Sequence, residues 1–104
     1  MSDLGVLLLC FDVPSGTKAD ARTYRSLRKT LKSEDFVQVQ ESVYAKLLRH
    51  YANRHNEIQK LKARLPPVGR IFILPLRISE LREICTVSGT PFDVGLFSDD
   101  FITI

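Results

Sequence analysis

The sequence predicts an α+β fold with elements in the order β-α-β-β-α-β. Two short apolar runs, residues 4–11 and 70–76, are typical of buried strands. Two longer segments, residues 17–32 and 50–65, carry apolar side chains at roughly helical spacing. Between the two helices, residues 36–48 alternate between apolar and polar side chains, as paired strands do.

The first half of the chain predicts a strand followed by a capped helix. The strand runs from Leu4 to Phe11 and ends at Asp12, just before the turn at Pro14. Thr17 is a typical helix N-cap, and Asp20 stands three residues later, where an acidic side chain reaches back to the cap. The helix extends to about Lys32, with these side chains expected inward: Ala21, Tyr24, Leu27 and Leu31.

The second half predicts a hairpin, a helix and a further strand. Alternation over residues 36–48 breaks near Gln40 and Glu41, which indicates two strands. A second helix follows from about His50 to Leu65 and is stopped by a pair of prolines, with these side chains inward: Ile58, Leu61 and Leu65. The strand over residues 70–76 contains Pro75, which predicts that the strand is at an edge of the sheet there or ends early.

This element order is the split pattern of a ferredoxin-like fold, an antiparallel sheet with both helices on one face. We therefore predict one domain, with a core at residues 1–78 and an extension at residues 79–104. One or two helical turns are expected at 79–85, and residues 94–97 and 101–104 predict a final strand. A final strand needs an edge to pair with, and the partner subunit of a homodimer would supply it.

Composition narrows the possible function classes. The 104 residues are 44% hydrophobic and 26% charged, with a formal net charge of +3, as in ordinary globular domains. Residues 1–70 hold thirteen basic and seven acidic side chains, whereas residues 71–104 hold two and five. The longest apolar run, residues 6–11, is too short to cross a membrane and does not resemble a signal peptide, so a cytoplasmic location is expected.

Asp12 is the first candidate functional residue. A carboxylate directly after a buried strand is held by a rigid sheet, and its hard oxygen atoms suit Mg²⁺ or Mn²⁺. One carboxylate makes a poor metal site, but two chains meeting near the strand ends would supply a pair. A purely structural role in the turn explains the same pattern, and both interpretations stay open here.

The first helix carries the second candidate, a stripe of basic side chains able to bind phosphate oxygens without reading bases. Its members are Arg22, Arg25, Arg28, Lys29 and Lys32, with Lys18 nearby. A solvated helix face explains these charges equally well. The remaining candidates are weak: His50 and His55 are not spaced as helical metal ligands, and Cys10 and Cys85 are expected to be small buried side chains.

Several of these segments together resemble the CRISPR-associated protein two family. They are, in order, Phe11-Asp12-Val13-Pro14, Tyr24-Arg25 with Leu27-Arg28-Lys29, Gln40-Glu41-Ser42-Val43-Tyr44, Leu65-Pro66-Pro67 and the strand over 69–76. The resemblance covers about residues 4–85, and the longer tail resembles members that accompany large single-protein effectors, those of type II systems.

The resemblance implies a ferredoxin-fold homodimer in which the last strand of each chain completes the partner's sheet. It implies that the protein takes part in spacer acquisition, where it would bridge dimers of the CRISPR adaptation integrase protein and hold duplex DNA. It also implies a Mg²⁺-dependent endonuclease acting on RNA or DNA, with the metal-binding aspartate at Asp12 and phosphate binding by Arg22, Arg25, Arg28 and Lys29. A non-catalytic DNA scaffold and a toxin-like ribonuclease of the same fold are the alternatives.

Overall fold

A four-stranded antiparallel sheet organises the chain. The computed structural model describes residues 3–14, 16–66 and 69–89. The strands are β1 (Gly5–Asp12), β2 (Val37–Gln40), β3 (Val43–Leu48) and β4 (Arg70–Arg77), arranged in the order β2-β3-β1-β4. Strand β1 is central and pairs antiparallel with β3 on one side and β4 on the other. The predicted ferredoxin-like α+β fold is confirmed.

Helix α1 (Lys18–Ser33) begins at the predicted cap. The Thr17 hydroxyl accepts a hydrogen bond from the Asp20 backbone N–H at 3.0 Å, and the Asp20 carboxylate accepts one from the Thr17 N–H at 3.3 Å. This reciprocal pair satisfies two backbone donors that a helix start otherwise leaves free. The chain leaves α1 through Asp35, whose φ of 67° is left-handed, and then enters β2.

The second helical region has two parts. A turn of 3-10 helix, Tyr51–Asn53, precedes helix α2 (Arg54–Arg64). Strand β4 continues through Pro75, which the sheet tolerates because β4 is an edge strand among the described residues. A single turn, α3 (Ile78–Leu81), follows β4 where one or two helical turns were expected.

The two faces of the sheet have separate cores. On one face, Leu7, Leu9 and Phe11 pack with Leu27 and Leu31 of α1 and with Leu61 of α2. Both helices therefore lie on the same face, as predicted. On the other face, Val6 and Ala45 pack against Leu81 of α3.

Two predictions about burial are wrong in detail. Ala21 is exposed, so the buried stripe of α1 is carried by Leu27 and Leu31, with Tyr24 half-buried. Cys85 is exposed and Cys10 is half-buried, so neither cysteine is fully in the core.

Some predictions cannot be compared with the fold. The final strand expected at 94–97 and 101–104, and its pairing with a partner subunit, lie outside the described residues. Among the helices of the described part, none is long and apolar enough to cross a membrane.

Candidate functional site

Asp12 is the last residue of the central strand β1. Side chains alternate along a strand, so Asp12 shares a face with Leu8 and Cys10, the face away from α1 and α2. Asp12 is exposed, and its carboxylate forms no hydrogen bond or ion pair with the residues that the structure describes. The carboxylate is therefore accessible to a ligand.

The start of β4 holds Asp12 in place. Arg70 is directly opposite Asp12 in the β1–β4 register, and cross-strand partners point to the same face. Gly69 precedes it with a φ of 59°, and a Cβ atom at this position would collide with the Asp12 carbonyl oxygen. Only glycine permits both the left-handed backbone and this close approach. Asp12 and Arg70 are thus cross-strand neighbours at the end of β1 and β4, although the described residues contain no ion pair between them.

The predicted basic stripe of α1 divides between two concavities. Arg25, Arg28 and Lys29 line a groove of about 530 Å³, whose other lining residues are Lys32, Phe36, Gln38 and Tyr44. Arg22 lies instead beside a smaller neighbouring pocket with Lys18, and Arg25 borders both. We name the larger one the α1–β2 groove, because its lining joins α1 to the edge strand β2 and to Tyr44 of the neighbouring β3.

Arg28 is held in a defined orientation within the α1–β2 groove. Its Nε atom donates a hydrogen bond to the Tyr44 hydroxyl at 3.2 Å, and its guanidinium carbon is 5.7 Å from the Tyr24 ring centre. Phe11 packs against both rings, with centroids 5.7 Å from Tyr24 and 5.8 Å from Tyr44. The Tyr24 hydroxyl donates to the Glu41 carbonyl at 3.1 Å. An aromatic cluster therefore supports the arginine.

The acidic side chains near α1 do not neutralise this groove. Glu34 pairs with Arg64 at 2.6 Å, and Glu57 pairs with Lys60 at 3.7 Å. Within the described ranges, no ion pair involves the four cations that line the groove. Their positive charge remains available to an anion.

The other titratable candidates do not form a second site. His50 and His55 are both exposed, and no group of three potential metal ligands occurs among residues 3–14, 16–66 and 69–89. Burial raises the pKa of the Cys10 thiol, which disfavours the reactive thiolate. The same absence applies around Asp12, which therefore brings a single carboxylate to any metal site in that part of the chain.

Sequence reasoning missed several residues around these sites. The alternation over residues 36–48 did not single out Gln38 or Tyr44 as groove residues, although Tyr44 is only 4% exposed. Arg70 and Gly69 were not connected with Asp12. The signal existed, because the start of β4 must lie opposite the end of β1 when the two strands are antiparallel neighbours.

Comparison with known proteins gives a consistent result. The sequence model of the family described as CRISPR associated protein Cas2 matches residues 6–84. A protein of Streptococcus mutans serotype c (strain NN2025) is 34% identical over 83 residues, covering 80% of this chain and 78% of the relative. It is named "CRISPR-associated endoribonuclease Cas2".

More distant relatives carry the same name. The protein of Acidovorax ebreus is 29% identical over 85 residues, which cover 82% of this chain and 83% of that protein. The protein of Treponema denticola is 24% identical over 98 residues, which cover 94% of this chain and 97% of that protein. The similarity to the Treponema denticola protein therefore extends over nearly the whole length of this chain and of that protein.

Proposed function

The chain belongs to the CRISPR-associated protein Cas2 family, and from this premise we propose that it is an endonuclease of spacer acquisition in CRISPR antiviral defence. It would cut phosphodiester bonds in RNA or DNA in the cytoplasm, at a site built on Asp12. Its relatives are named endoribonucleases, which favours RNA as the substrate. The observation that carries the proposal is the accessible Asp12 carboxylate at the rigid end of β1, without a partner in the described part of the chain.

The donor set of one chain suits Mg²⁺ only in part. Mg²⁺ usually binds one or two carboxylates together with waters and substrate phosphate, and Mn²⁺ accepts similar ligands. Among the described residues, one chain offers only the Asp12 carboxylate at the proposed metal site. Two Asp12 side chains from two copies would make a suitable pair, and a cation between them would offset their mutual repulsion. The proposed site is therefore shared by a homodimer.

The face that bears Asp12 supports this homodimer. Phe72 and Leu74 are 62% and 41% exposed, and they lie beside Cys10 and Leu8 in the β1–β4 register. Large apolar side chains grouped on one face of a sheet are typical of an interaction surface. A second copy packed face to face would bury them. Because Asp12 lies on the same face, a two-fold axis near the end of β1 would bring the two carboxylates together.

Each chain would contribute two groups to the reaction. The Asp12 carboxylate would hold the metal, and Arg70 opposite it would offset negative charge on the scissile phosphate. Mg²⁺, when bound, would supply an activated water and charge stabilisation. The α1 cations Arg22, Arg25, Arg28 and Lys29 would bind flanking phosphates without base preference.

A non-catalytic scaffold is the second candidate function. One carboxylate per chain is a sparse site for phosphoryl chemistry, which usually has more metal ligands or a cationic clamp. In this alternative, the basic surface of α1 positions duplex DNA for the CRISPR adaptation integrase protein. A toxin-like ribonuclease has less support, because the matching family model and relatives are CRISPR-associated.

Cleavage by matched aspartate variants tests the proposal. Labelled single-stranded RNA and duplex DNA are incubated with Mg²⁺ or chelator and with wild type, Asp12→Asn or Asp35→Asn. Both substitutions remove one charge at nearly constant size, and asparagine tolerates the left-handed backbone at Asp35. Changes to outer-shell partners of metals already cost about 10- to 100-fold. We therefore expect Asp12→Asn to slow metal-dependent cleavage by about a hundredfold or more, and Asp35→Asn to cleave like wild type.

The other outcomes are equally decisive. Equal cleavage by the Asp12→Asn variant and wild type would exclude Asp12 from the chemistry. No cleavage by any protein, with duplex binding intact, would replace the nuclease proposal with the scaffold.

A further inference from the structure

We propose that the turn α3 is a stop that sets how a second copy of the chain packs on the open face of the sheet, the face opposite α1 and α2. Leu81, which anchors α3, is then a positioning residue for the paired Asp12 site. The inference rests on the proposed function, which supplies the homodimer and the two carboxylates. It adds the element that fixes the offset between the copies.

The first support is that α3 covers one end of the open face. Leu81 is buried against Val6 of β1 and Ala45 of β3, which are themselves buried. Other apolar residues that pack against this cluster are Leu8, Val39, Leu76, Ile78 and Ile84. The start of β1 therefore has its own small core on this face, and it is closed within one chain.

The other end of the open face is uncovered among the described residues. Phe72 and Leu74 are exposed there, and Phe72 lies opposite Cys10 in the β1–β4 register. Cys10 is two residues before Asp12, or about 7 Å along the strand, whereas Val6 is about 20 Å from Asp12. The apolar surface left for a second copy is therefore the part nearest Asp12.

The thickness of α3 makes it an obstacle to a second sheet. Two sheets that pack face to face are about 10 Å apart, and a helix with its side chains is about 10 to 12 Å across. The turn therefore fills the layer that the sheet of a second copy would occupy. That sheet can lie over Phe72 and Leu74, but it cannot slide over Val6 unless α3 leaves.

Hydrogen bonds and one buried side chain hold α3 on the sheet. The Ile78 backbone N–H donates to the Leu4 carbonyl at 3.3 Å, and the Glu80 carboxylate accepts a hydrogen bond from the Arg77 N–H at 2.8 Å. A single helical turn is not stable by itself. Its place on the open face therefore depends on these bonds and on the burial of Leu81.

Two-fold symmetry makes the stop act twice. In such a dimer both copies offer the same patch, so each α3 limits the movement of the partner's sheet. The two copies are held over the uncovered end of the face, where β1 finishes. This arrangement keeps the two Asp12 carboxylates near each other, as a shared metal ion requires.

Cross-linking between copies tests the stop without any cleavage. Every protein carries Asp12→Cys together with Cys10→Ala and Cys85→Ala, so each chain has a single, introduced thiol. A short bismaleimide joins two such thiols when they are close across the dimer. The test variant adds Leu81→Ala. The control adds Leu61→Ala, which truncates a similarly buried leucine on the helix face. Sedimentation and thermal unfolding are measured for every protein.

Two further variants separate the position of α3 from general stability. Leu81→Met keeps an apolar side chain of similar volume and should restore cross-linking. Glu80→Ala is at an exposed position and removes the hydrogen bond to the Arg77 N–H without opening the core. Loss of such a cap weakens a helix start, so we expect Glu80→Ala to slow cross-linking by about threefold.

The expected result is a dimer with a changed offset. Truncating a buried leucine removes most of what holds a single turn, so Leu81→Ala should stay dimeric but cross-link about tenfold more slowly. Release of α3 uncovers Val6 and Ala45, and the second copy can then take other positions on the face. The Leu61→Ala control should cross-link like the background protein.

Each other outcome overturns a defined part of the proposal. Equal cross-linking of Leu81→Ala and the control would overturn the role of α3 and leave the shared Asp12 site standing. Dissociation of Leu81→Ala, with the control still dimeric, would make α3 part of the contact and not its boundary. No cross-linking in any protein would overturn the shared Asp12 site, and the role of α3 with it.

Discussion

The two faces of the sheet are built from the same strands but are covered differently. On the helix face, Leu7, Leu9 and Phe11 are at most 6% exposed because α1 and α2 lie on them. On the open face, the neighbouring strand β4 leaves Phe72 62% and Leu74 41% exposed. The open face also carries Asp12, at the end of β1. The difference teaches that two helices cover one face, whereas on the other face α3 covers only the region of Val6 and Ala45 and leaves the side chains of Phe72 and Leu74 exposed. The proposed homodimer would cover that exposed part.

The largest expected effect is on the helix face. Leu9 is fully buried between the sheet and the helices. Replacing it with alanine removes buried methyl groups and leaves a cavity, so Leu9→Ala should lower the free energy of unfolding by about 3 kcal/mol. Urea denaturation measures this value.

The matched substitution on the open face is Leu74→Ala. It should cost less than about 1 kcal/mol at protein concentrations too low for self-association, because the side chain is already partly in water. If Leu9→Ala and Leu74→Ala lowered the free energy of unfolding equally, the two faces would be equally buried within one chain. That result would contradict the difference between the faces.

A second prediction concerns self-association through the open face. Phe72→Ser removes the most exposed aromatic side chain of that face and should weaken dimerisation by about 2 kcal/mol or more, or about thirtyfold in dissociation constant. Phe72→Leu keeps an apolar side chain and should retain most of the association. Sedimentation over a range of concentrations compares both with wild type. A Phe72→Ser variant that dimerises as tightly as wild type would remove the open face from the interface.

The smallest expected effect is on the two cysteines. Cys10 lies on the open face, where partial burial raises the pKa of its thiol, whereas Cys85 is exposed. Because only the thiolate reacts with iodoacetamide, Cys85 should be alkylated about tenfold faster than Cys10 near neutral pH. Peptide mass spectrometry follows both residues, and urea should bring the two rates together. Faster alkylation of Cys10 in the folded protein would contradict its half-buried position.

Much of the fold could be predicted because the ends of its helices and strands are marked by residues that are close in sequence. The Thr17 cap, the break near Gln40 and the stop after Leu65 each depend on residues close in sequence, and the structure confirms all three. Burial was harder to predict. Ala21 lies at a helical spacing that fits the inward stripe, but it is near the start of α1, and the core lies beneath the later turns at Leu27 and Leu31.

The candidate sites likewise combine features that the sequence predicts with features that depend on tertiary packing. Asp12 and the basic stripe were visible as residue types, but which groups would surround them was not. Arg70 is far from Asp12 in sequence and comes beside it only because β4 pairs with β1. Tyr44 reaches Arg28 only because β3 lies next to β1 beneath the helix. The roles proposed for Asp12, Arg22, Arg25, Arg28 and Lys29 stay predictions until the variants are measured.

The sequence by itself determined the order of the elements, the cap of α1, the place of the acidic residue at a strand end and the row of cations along one side of a helix. These follow from local periodicity and short-range hydrogen bonding, which neighbouring residues control. Only the tertiary structure decided that Gly69 and Arg70 lie beside Asp12, that Tyr44 orients Arg28, and that Phe72 and Leu74 stay exposed on one face of the sheet. Those features depend on strand register and helix packing, which join residues that are distant in sequence.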